Sequence, residues 1–347
     1  MTQPSALGGG ERVDVSVLVP VLNESRDVRR AVAAMQAQEL DGTIEFLFID
    51  GGSEDDTRRI LDELARDDPR IRLLDNPARR TPQALNIGLR AARGSHIARM
   101  DAHTVYCSTY LAAGVERLRH RDVDWVSGAQ LAHGTTPWSR RVEMALGSWL
   151  GVGGARFRRP VETEFEVDTG FTGMWRTETL EAYGGWDEGW PVNQDTELAA
   201  RIRANGGRLL CVPGMEGLYI PRGSARALAR QYWVYGQYRA KTAQRHPHSM
   251  RRSQLLAPGL AGTLVAAVAA PRPLRRLARA ALGVYAACVV VTSAAASKPG
   301  RRRDAILLPA VFGVIHLSWG FGFLVGSVRF GPPARAVARV LTPRRRP

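Results

Sequence analysis

The sequence predicts a doubly wound α/β sheet followed by membrane-associated helices, and three observations carry that prediction. Short apolar runs alternate with helix-length segments through the first hundred residues. Each early run stops at a polar or turn-forming residue. Long stretches without a charged residue then fill the chain after residue 250.

Val15–Pro20 (VSVLVP) is apolar and β-branched, as a buried parallel strand is, and it stops at Pro20. Asn23–Gln38 reads as a helix and Glu45–Asp50 (EFLFID) as a second strand, followed by the turn GGSEDD. A helix over Thr57–Arg66, a strand over Arg70–Leu74, a helix over Thr81–Arg93 and a strand over Ser95–Met100 continue the pattern. Alternation at this spacing puts ligands at the carboxyl ends of the strands. No G-x-G-x-x-G run follows the first strand, which argues against a dinucleotide site.

The net charge of +15 belongs wholly to Arg251–Pro347, which holds fifteen Arg, Lys298 and one acid, Asp304. The residues before Arg251 are neutral overall, so they offer nucleic acid no basic face. Cations that flank apolar runs suit an anionic membrane surface instead. Leu255–Ala270, Ala280–Ser297 and Ala305–Val328 contain no Asp, Glu, Lys or Arg. A bilayer span needs about 20 residues. The third run meets that length, the second approaches it, and the first is shorter and carries Pro258, Gly259 and Gly262. With a cytoplasmic start, the positive-inside rule favours the last two as spans, and the first is expected to be re-entrant or interfacial.

These readings divide the chain into a disordered N-terminus (1–12) with no signal-peptide core, a catalytic domain (13–250), a membrane-associated helical segment (251–330) and a basic tail (331–347). Cys107, Cys211 and Cys288 form no C-x-x-C pair, so neither a zinc site nor a disulfide framework is indicated, and a reducing compartment fits.

Four segments bring polar residues to the expected ligand face: PVLNES (Pro20–Ser25), IDGGSEDDT ending the second strand at Asp50, ALNIGLRAARGSHIARMDAHTVY with Asp101 and His103, and GGWDEGWPVNQDTELAARIRANGG with Asp195 and Glu197. Taken singly, Asp50 or Asp195 serves as well as a turn or helix cap. Taken in order and at this spacing, the four segments resemble the family 2 glycosyltransferases, inverting enzymes with the GT-A Rossmann-like fold. Within that family the sequence is similar to the bacterial exopolysaccharide transferases of the succinoglycan type. GVGGARFR (Gly151–Arg158), DTGFTGMWR (Asp168–Arg176) and IHLSWGFGFLVG (Ile315–Gly326) extend the resemblance towards the C-terminus.

The resemblance implies that Pro20, Asn23, Glu24 and Asp50 hold the base and ribose of a UDP-sugar, with Asp50 accepting the uracil imide N–H. It implies that Asp101 and His103 bind a divalent cation, Mn²⁺ or Mg²⁺; the histidine stands where an aspartate is common and favours Mn²⁺. Asp195 falls at the catalytic base, with Glu197 next in line and Gln194 where a glutamate is usual. Asn86, Gly173 and Gln194 join the substrate contacts, with Gly170–Gly173 as a small-residue wall. Arg156, Arg158 and Arg159 serve either a phosphate or a solvated loop. Gln231–Arg239 (QYWVYGQYR) lacks the Q-x-x-R-W pair of processive relatives, and its aromatic residues suit sugar rings and a membrane interface equally.

The implied activity is transfer of a hexose, glucose from UDP-glucose, to a polyprenyl-linked saccharide at the inner face of the cell membrane, with the catalytic domain cytoplasmic. Two other readings stand beside it: a polyprenyl-phosphate sugar synthase, and a non-catalytic nucleotide-binding membrane protein.

Overall fold

A computed structural model of the chain describes residues 13–151, 155–297 and 302–342. The expected disordered stretch 1–12, most of the Gly-rich turn after Gly151, Lys298, Arg301 and the last five residues of the basic tail lie outside the described residues. The chain forms two compact units, Met1–Leu131 with Arg159–Tyr219, and Ala132–Arg158 with Ile220–Pro347.

The first unit begins with the predicted alternation: β1 (Val13–Val21), α1 (Val28–Gln36), β2 (Ile44–Asp50), α2 (Thr57–Asp67), β3 (Ile71–Asp75), α3 (Thr81–Ala91) and β4 (Gly94–Arg99). β5 (Thr104–Tyr106), α4 (Tyr110–Arg119), β6 (Trp125–Ser127) and β7 (Gln130–Ala132) follow. The chain then makes α5 (Pro137–Gly147) of the second unit and returns through β8 (Phe165–Glu166), β9 (Gly173–Arg176), α6 (Thr177–Ala182), α7 (Gln194–Ala204), β10 (Leu209–Cys211) and β11 (Gly217–Tyr219).

The main sheet has the order β3-β2-β1-β4-β9-β6-β10-β8, and a smaller one runs β5-β11-β7. β1 lies between β2 and β4 and is parallel to both, whereas β9 is antiparallel to β4 and β6. The doubly wound half is therefore continued by a mixed half. Every residue of β2 is buried, as its unbroken apolar run requires. The strand register pairs Val21 with Asp50 and Leu18 with Arg99, so the tips of β2 and β4 share one edge of the sheet.

At the other end of β2, Glu45 is 0% exposed. Its carboxylate accepts from the Ser16 hydroxyl at 2.6 Å, the Arg93 backbone N–H at 2.7 Å and the Arg72 guanidinium at 2.6 Å, with Arg93 Nε at 3.0 Å. Burial alone raises its pKa; these hydrogen bonds outweigh that and hold it below the ordinary 4.5. The ion staples β1, β2, β3 and the start of β4.

The second unit is helical: α5, α8 (Ala225–Arg245), α9 (Leu256–Ala269), α10 (Arg272–Ala296), α11 (Arg302–Phe330) and α12 (Ala334–Leu341). Arg272–Ala296 and Ile306–Phe330 are long and apolar enough to cross a membrane. Leu256–Ala269 is too short to do so, as its sequence suggests.

A glycine seam joins α8 to α11. A Cβ added at Gly236 would collide with the Trp319 carbonyl, and one at Gly322 with the Trp233 carbonyl. Gly326 lies against the Gln237 backbone, and Gly320 against the Ala257 carbonyl of α9. The GFGFLVG run is thus a packing surface on which two helices approach backbone to backbone.

Glu45→Gln is expected to cost about 3 kcal/mol, because Arg72 and Arg93 lose their buried counter-ion. Since the folded-state pKa is depressed, the native carboxylate contributes stability above about pH 4.5 and loses it as the pH falls through the lowered value. Thermal unfolding between pH 7 and pH 3 should show that loss in the native chain and not in the variant. Gly322→Leu should destabilise by about 1–3 kcal/mol through overpacking. Gly313→Leu, where an added Cβ meets nothing within 4 Å, should leave the melting temperature unchanged or raised.

Candidate active site

The loop after β1 does not continue into helix as its sequence suggests; α1 begins only at Val28. Asn23 adopts a left-handed conformation (φ 57°). Its backbone N–H donates to Ser53 Oγ at 3.0 Å, and its side-chain Oδ1 accepts from the Glu54 N–H at 2.8 Å. The Glu24 N–H donates to Thr57 Oγ1 at 2.8 Å, and the Ser25 N–H to Asp55 Oδ2 at 3.2 Å. These bonds zip the loop after β1 to the loop after β2. They outweigh the local helix preference because each satisfies a backbone donor that a helix's first turn leaves unpaired.

Asp50, 4% exposed, closes β2 beneath this zip. Its Oδ1 accepts from Ser53 Oγ at 2.7 Å and from the Ser53 N–H at 3.1 Å. Among the described residues its Oδ2 has longer contacts, to that N–H at 3.4 Å and to Arg58 Nη1 at 3.9 Å, and so retains capacity to accept a further N–H. Pro20 pairs with Ile49 in the strand register, just behind.

At the tip of β4, one buried guanidinium holds two carboxylates. Arg99 Nη1 donates to both Asp195 oxygens at 2.7 and 2.6 Å, while its Nε and Nη2 reach Asp101 Oδ1 at 3.1 and 3.0 Å. Burial alone would lower the Arg99 pKa; the charges of Asp101 and Asp195 outweigh it and push it up. Asp195 is raised above the usual carboxylate range, first by burial and partly offset by Arg99. Raised basicity in a carboxylate that keeps 18% of its side chain exposed is what proton abstraction requires. The buried Trp186 indole N–H also favours the Asp195 charge.

Two further contacts fix this tip. The Asp101 N–H donates to the Tyr106 hydroxyl at 2.9 Å. His103 Nδ1 lies 3.2 Å from Glu24 Oε1, which ties the D-A-H motif to the loop after β1. An Nδ1–H given to Glu24 would make Nε2 the nitrogen able to meet a cation. Among the described residues no three His, Cys, Asp or Glu side chains cluster as metal ligands. Asp101 with a carboxylate-oriented imidazole nevertheless fits an ion whose remaining ligands are phosphate oxygens and water, as those of Mg²⁺ or Mn²⁺ commonly are.

Several expected site residues have other work. Asn86 gives its amide donors to the Trp186 carbonyl at 2.9 Å and Glu188 at 3.0 Å, and its Oδ1 accepts from the Trp186 N–H at 2.9 Å. It builds the turn before α7 and has no donor left for a nucleotide. The missing side chain of Gly173 (φ 126°) makes room for the Trp125 indole, so that wall is filled by protein. Glu197 pairs with Arg201 at 2.8 Å, and Arg201 in turn caps the Tyr183 and Gly185 carbonyls. Gln194 is buried at the first position of α7, and the charged neighbour of Asp195 is Arg99. Arg99, Tyr106 and Trp186 were not singled out from sequence. Arg99 carried one signal: two residues from Asp101, it shares that residue's face of the strand.

Residues 16–184 match the family described as Glycosyl transferase family 2. The chain is 29% identical over 313 residues to the Succinoglycan biosynthesis protein ExoA of Rhizobium meliloti (strain 1021), covering 88% of this chain and 93% of that protein. Over 88 residues it is 33% identical to the Chondroitin synthase of Escherichia coli, covering 25% of this chain and 13% of that one. The solved structure of the mannosyltransferase PcManGT from Pyrobaculum calidifontis, in complex with GDP-Man and Mn²⁺, shares the fold. Its TM-score is 0.57 at 21% identity, over 89% of this chain and 88% of that one.

Arg99→Met should destabilise by about 3 kcal/mol or more, because it leaves two buried carboxylates without a cation. Adding Asp195→Asn to that variant should recover part of the loss, and a double-mutant cycle on melting temperatures reads the coupling. Additive effects of the two changes would contradict the bridge.

Proposed function

We propose that this chain, whose residues 16–184 form a family 2 glycosyltransferase domain, moves a hexose, glucose from UDP-glucose, to a lipid-linked saccharide with inversion at the anomeric carbon. The observation that carries the reading is the carboxylate pair on Arg99: a base and a metal-side carboxylate share one cation at the tip of β4.

In this reading Asp50 accepts the uracil imide N–H through Oδ2, and the zipped loops bearing Asn23 and Glu24 line the nucleoside. Asp101 and His103 would hold a divalent cation, which supplies neutralisation of the diphosphate leaving group. Asp195 takes the proton of the acceptor hydroxyl as the new glycosidic bond forms and the anomeric bond to phosphate breaks. The products are UDP, the inverted glycoside and a protonated Asp195 that releases its proton to solvent. Arg99 keeps Asp195 ionised before the acceptor arrives and holds its oxygens in one orientation. The name of the relative ExoA supports a place in exopolysaccharide or other envelope glycan synthesis. GDP-Man and Mn²⁺ in the mannosyltransferase structure support a nucleotide-sugar donor and a divalent cation. The basic apolar C-terminal helices suit an acceptor at the inner face of the cell membrane, with the catalytic domain cytoplasmic.

Membranes containing the protein should transfer radiolabelled glucose from UDP-glucose to an organic-extractable product, and excess EDTA should abolish the transfer. Asp195→Asn should lower turnover by about 10²–10⁴-fold while UDP binding, read by calorimetry, persists. Full activity in that variant, or in EDTA, would remove the corresponding role.

A further inference from the structure

In the second unit, α11 packs first along α5 and then along α8. At the start of α11, Asp304 pairs with Arg141 of α5 at 2.9 Å, both groups largely buried. Further along, His316 Nε2 is 3.0 Å from the Leu150 carbonyl. Val142, Ala145 and Leu146 of α5 pack in one cluster with Leu308, Val311, Phe312 and Ile315. The first half of α11 therefore lies along α5.

Arg141 is close in sequence to β7, a strand of the small sheet. Four residues separate Ala132 from Pro137, and the five backbone steps between them reach at most about 18 Å when extended. The first helical turn adds about 6 Å. The hydrocarbon core is about 30 Å thick, and an extended backbone cannot lie in it unpaired. Arg141, and with it Asp304, stays on the face of the membrane where β7 lies.

The second half of α11 lies along α8, in the same direction. Leu228 shares the cluster of Ile315, Gly236 meets Trp319 and Phe323, Gln237 meets Gly326, and Lys241 stands over the Phe330 ring at 5.4 Å. α8 carries Arg226, Arg230, Arg239, Lys241 and Arg245 and no acid. A crossing by α11 would draw these cations through the bilayer with it, and charge at that depth is costly.

Outward apolar surface is carried by α9 and α10, where Val268 is 75% exposed, Leu277 68% and Val291 68%, and by Ile306 and Val328 towards the two ends of α11. Arg272, Arg276 and Arg279 are exposed beside Leu274 and Leu277 in the first turns of α10. No Asp or Glu occurs between Arg251 and Arg303. Apolar side chains beside acid-free arginines match the acyl and headgroup layers of one leaflet.

We propose that the C-terminal helices are a monotopic anchor for an anionic phospholipid bilayer. On this proposal α9 and α10 lie in one leaflet, and Ser297 after α10 and Arg303 at the start of α11 lie on the membrane face on which β7 lies. The inference concerns attachment and stands whichever sugar the site transfers.

The test is labelling by a membrane-impermeant maleimide in the full chain, with Cys107→Ser, Cys211→Ala and Cys288→Ala as background. Single Arg66→Cys, Ser297→Cys and Arg303→Cys variants are compared in sealed inside-out and right-side-out vesicles of an anionic-lipid membrane. Only membrane-fraction protein that labels fully in detergent is scored. All three should label from the same face and not from the other. Labelling of Ser297→Cys and Arg303→Cys only from the face opposite Arg66→Cys, or from neither face before detergent, overturns the proposal. The readout involves no transfer activity, so it stands or falls apart from the sugar-transfer reading.

Discussion

Two carboxylates set close together in a buried cleft repel one another, and without a cation at least one of them takes up a proton. Arg99 is that cation. Its guanidinium joins the last residue of β4 to the first turn of α7, elements 96 positions apart in the chain. It fixes Asp195 in charge and in direction with one group, and it leaves Asp101 a second oxygen for other partners. A glutamate in place of Gln194 would add negative charge to this cleft beside Asp195. Gln194 adds none, which suits a site whose charge balance already rests on one arginine and two aspartates.

The neighbouring constraints serve that bridge. Tyr106 holds the Asp101 backbone, and Asn86 and the Glu197–Arg201 pair hold the turn from which α7 starts. Their hydrogen bonds explain why polar residues lie so near the site without facing a ligand. A carboxylate positioned to within a fraction of an ångström needs neighbours whose own freedom has been removed.

Much of the doubly wound half was legible in the sequence because its signal is local. Runs of strand length ending at Pro20, Asp50 and Met100, spaced by helix-length segments, have few other readings. Asp50, Asp101 and Asp195 were legible as acids at strand tips and a helix start. What local pattern could not supply was decided at a distance. α1 starts late because Ser53, Asp55 and Thr57, about thirty residues on, capture the backbone of residues 23–25. Arg99 was hidden by the abundance of arginine in this chain, and only its parity with Asp101 marked it. Asn86 and Gly173 have the chemistry of ligand contacts, and the folded chain uses that chemistry on Trp186 and Trp125 instead.

The same distinction governs the apolar helices. A hydropathy window reads each helix as if it stood alone in lipid, and by that measure α10 and α11 are both spans. The glycines of α11 carry different information. Gly322 and Gly326 remove the side chains that would keep a neighbour away, and the neighbour they admit is α8, a helix with five cations. A helix lined closely by such a partner is solvated by protein along that side, and its free energy of insertion is that of the pair. Apolar length then measures how much surface the pair can offer a bilayer, and the charge of the partner limits how deep that surface goes.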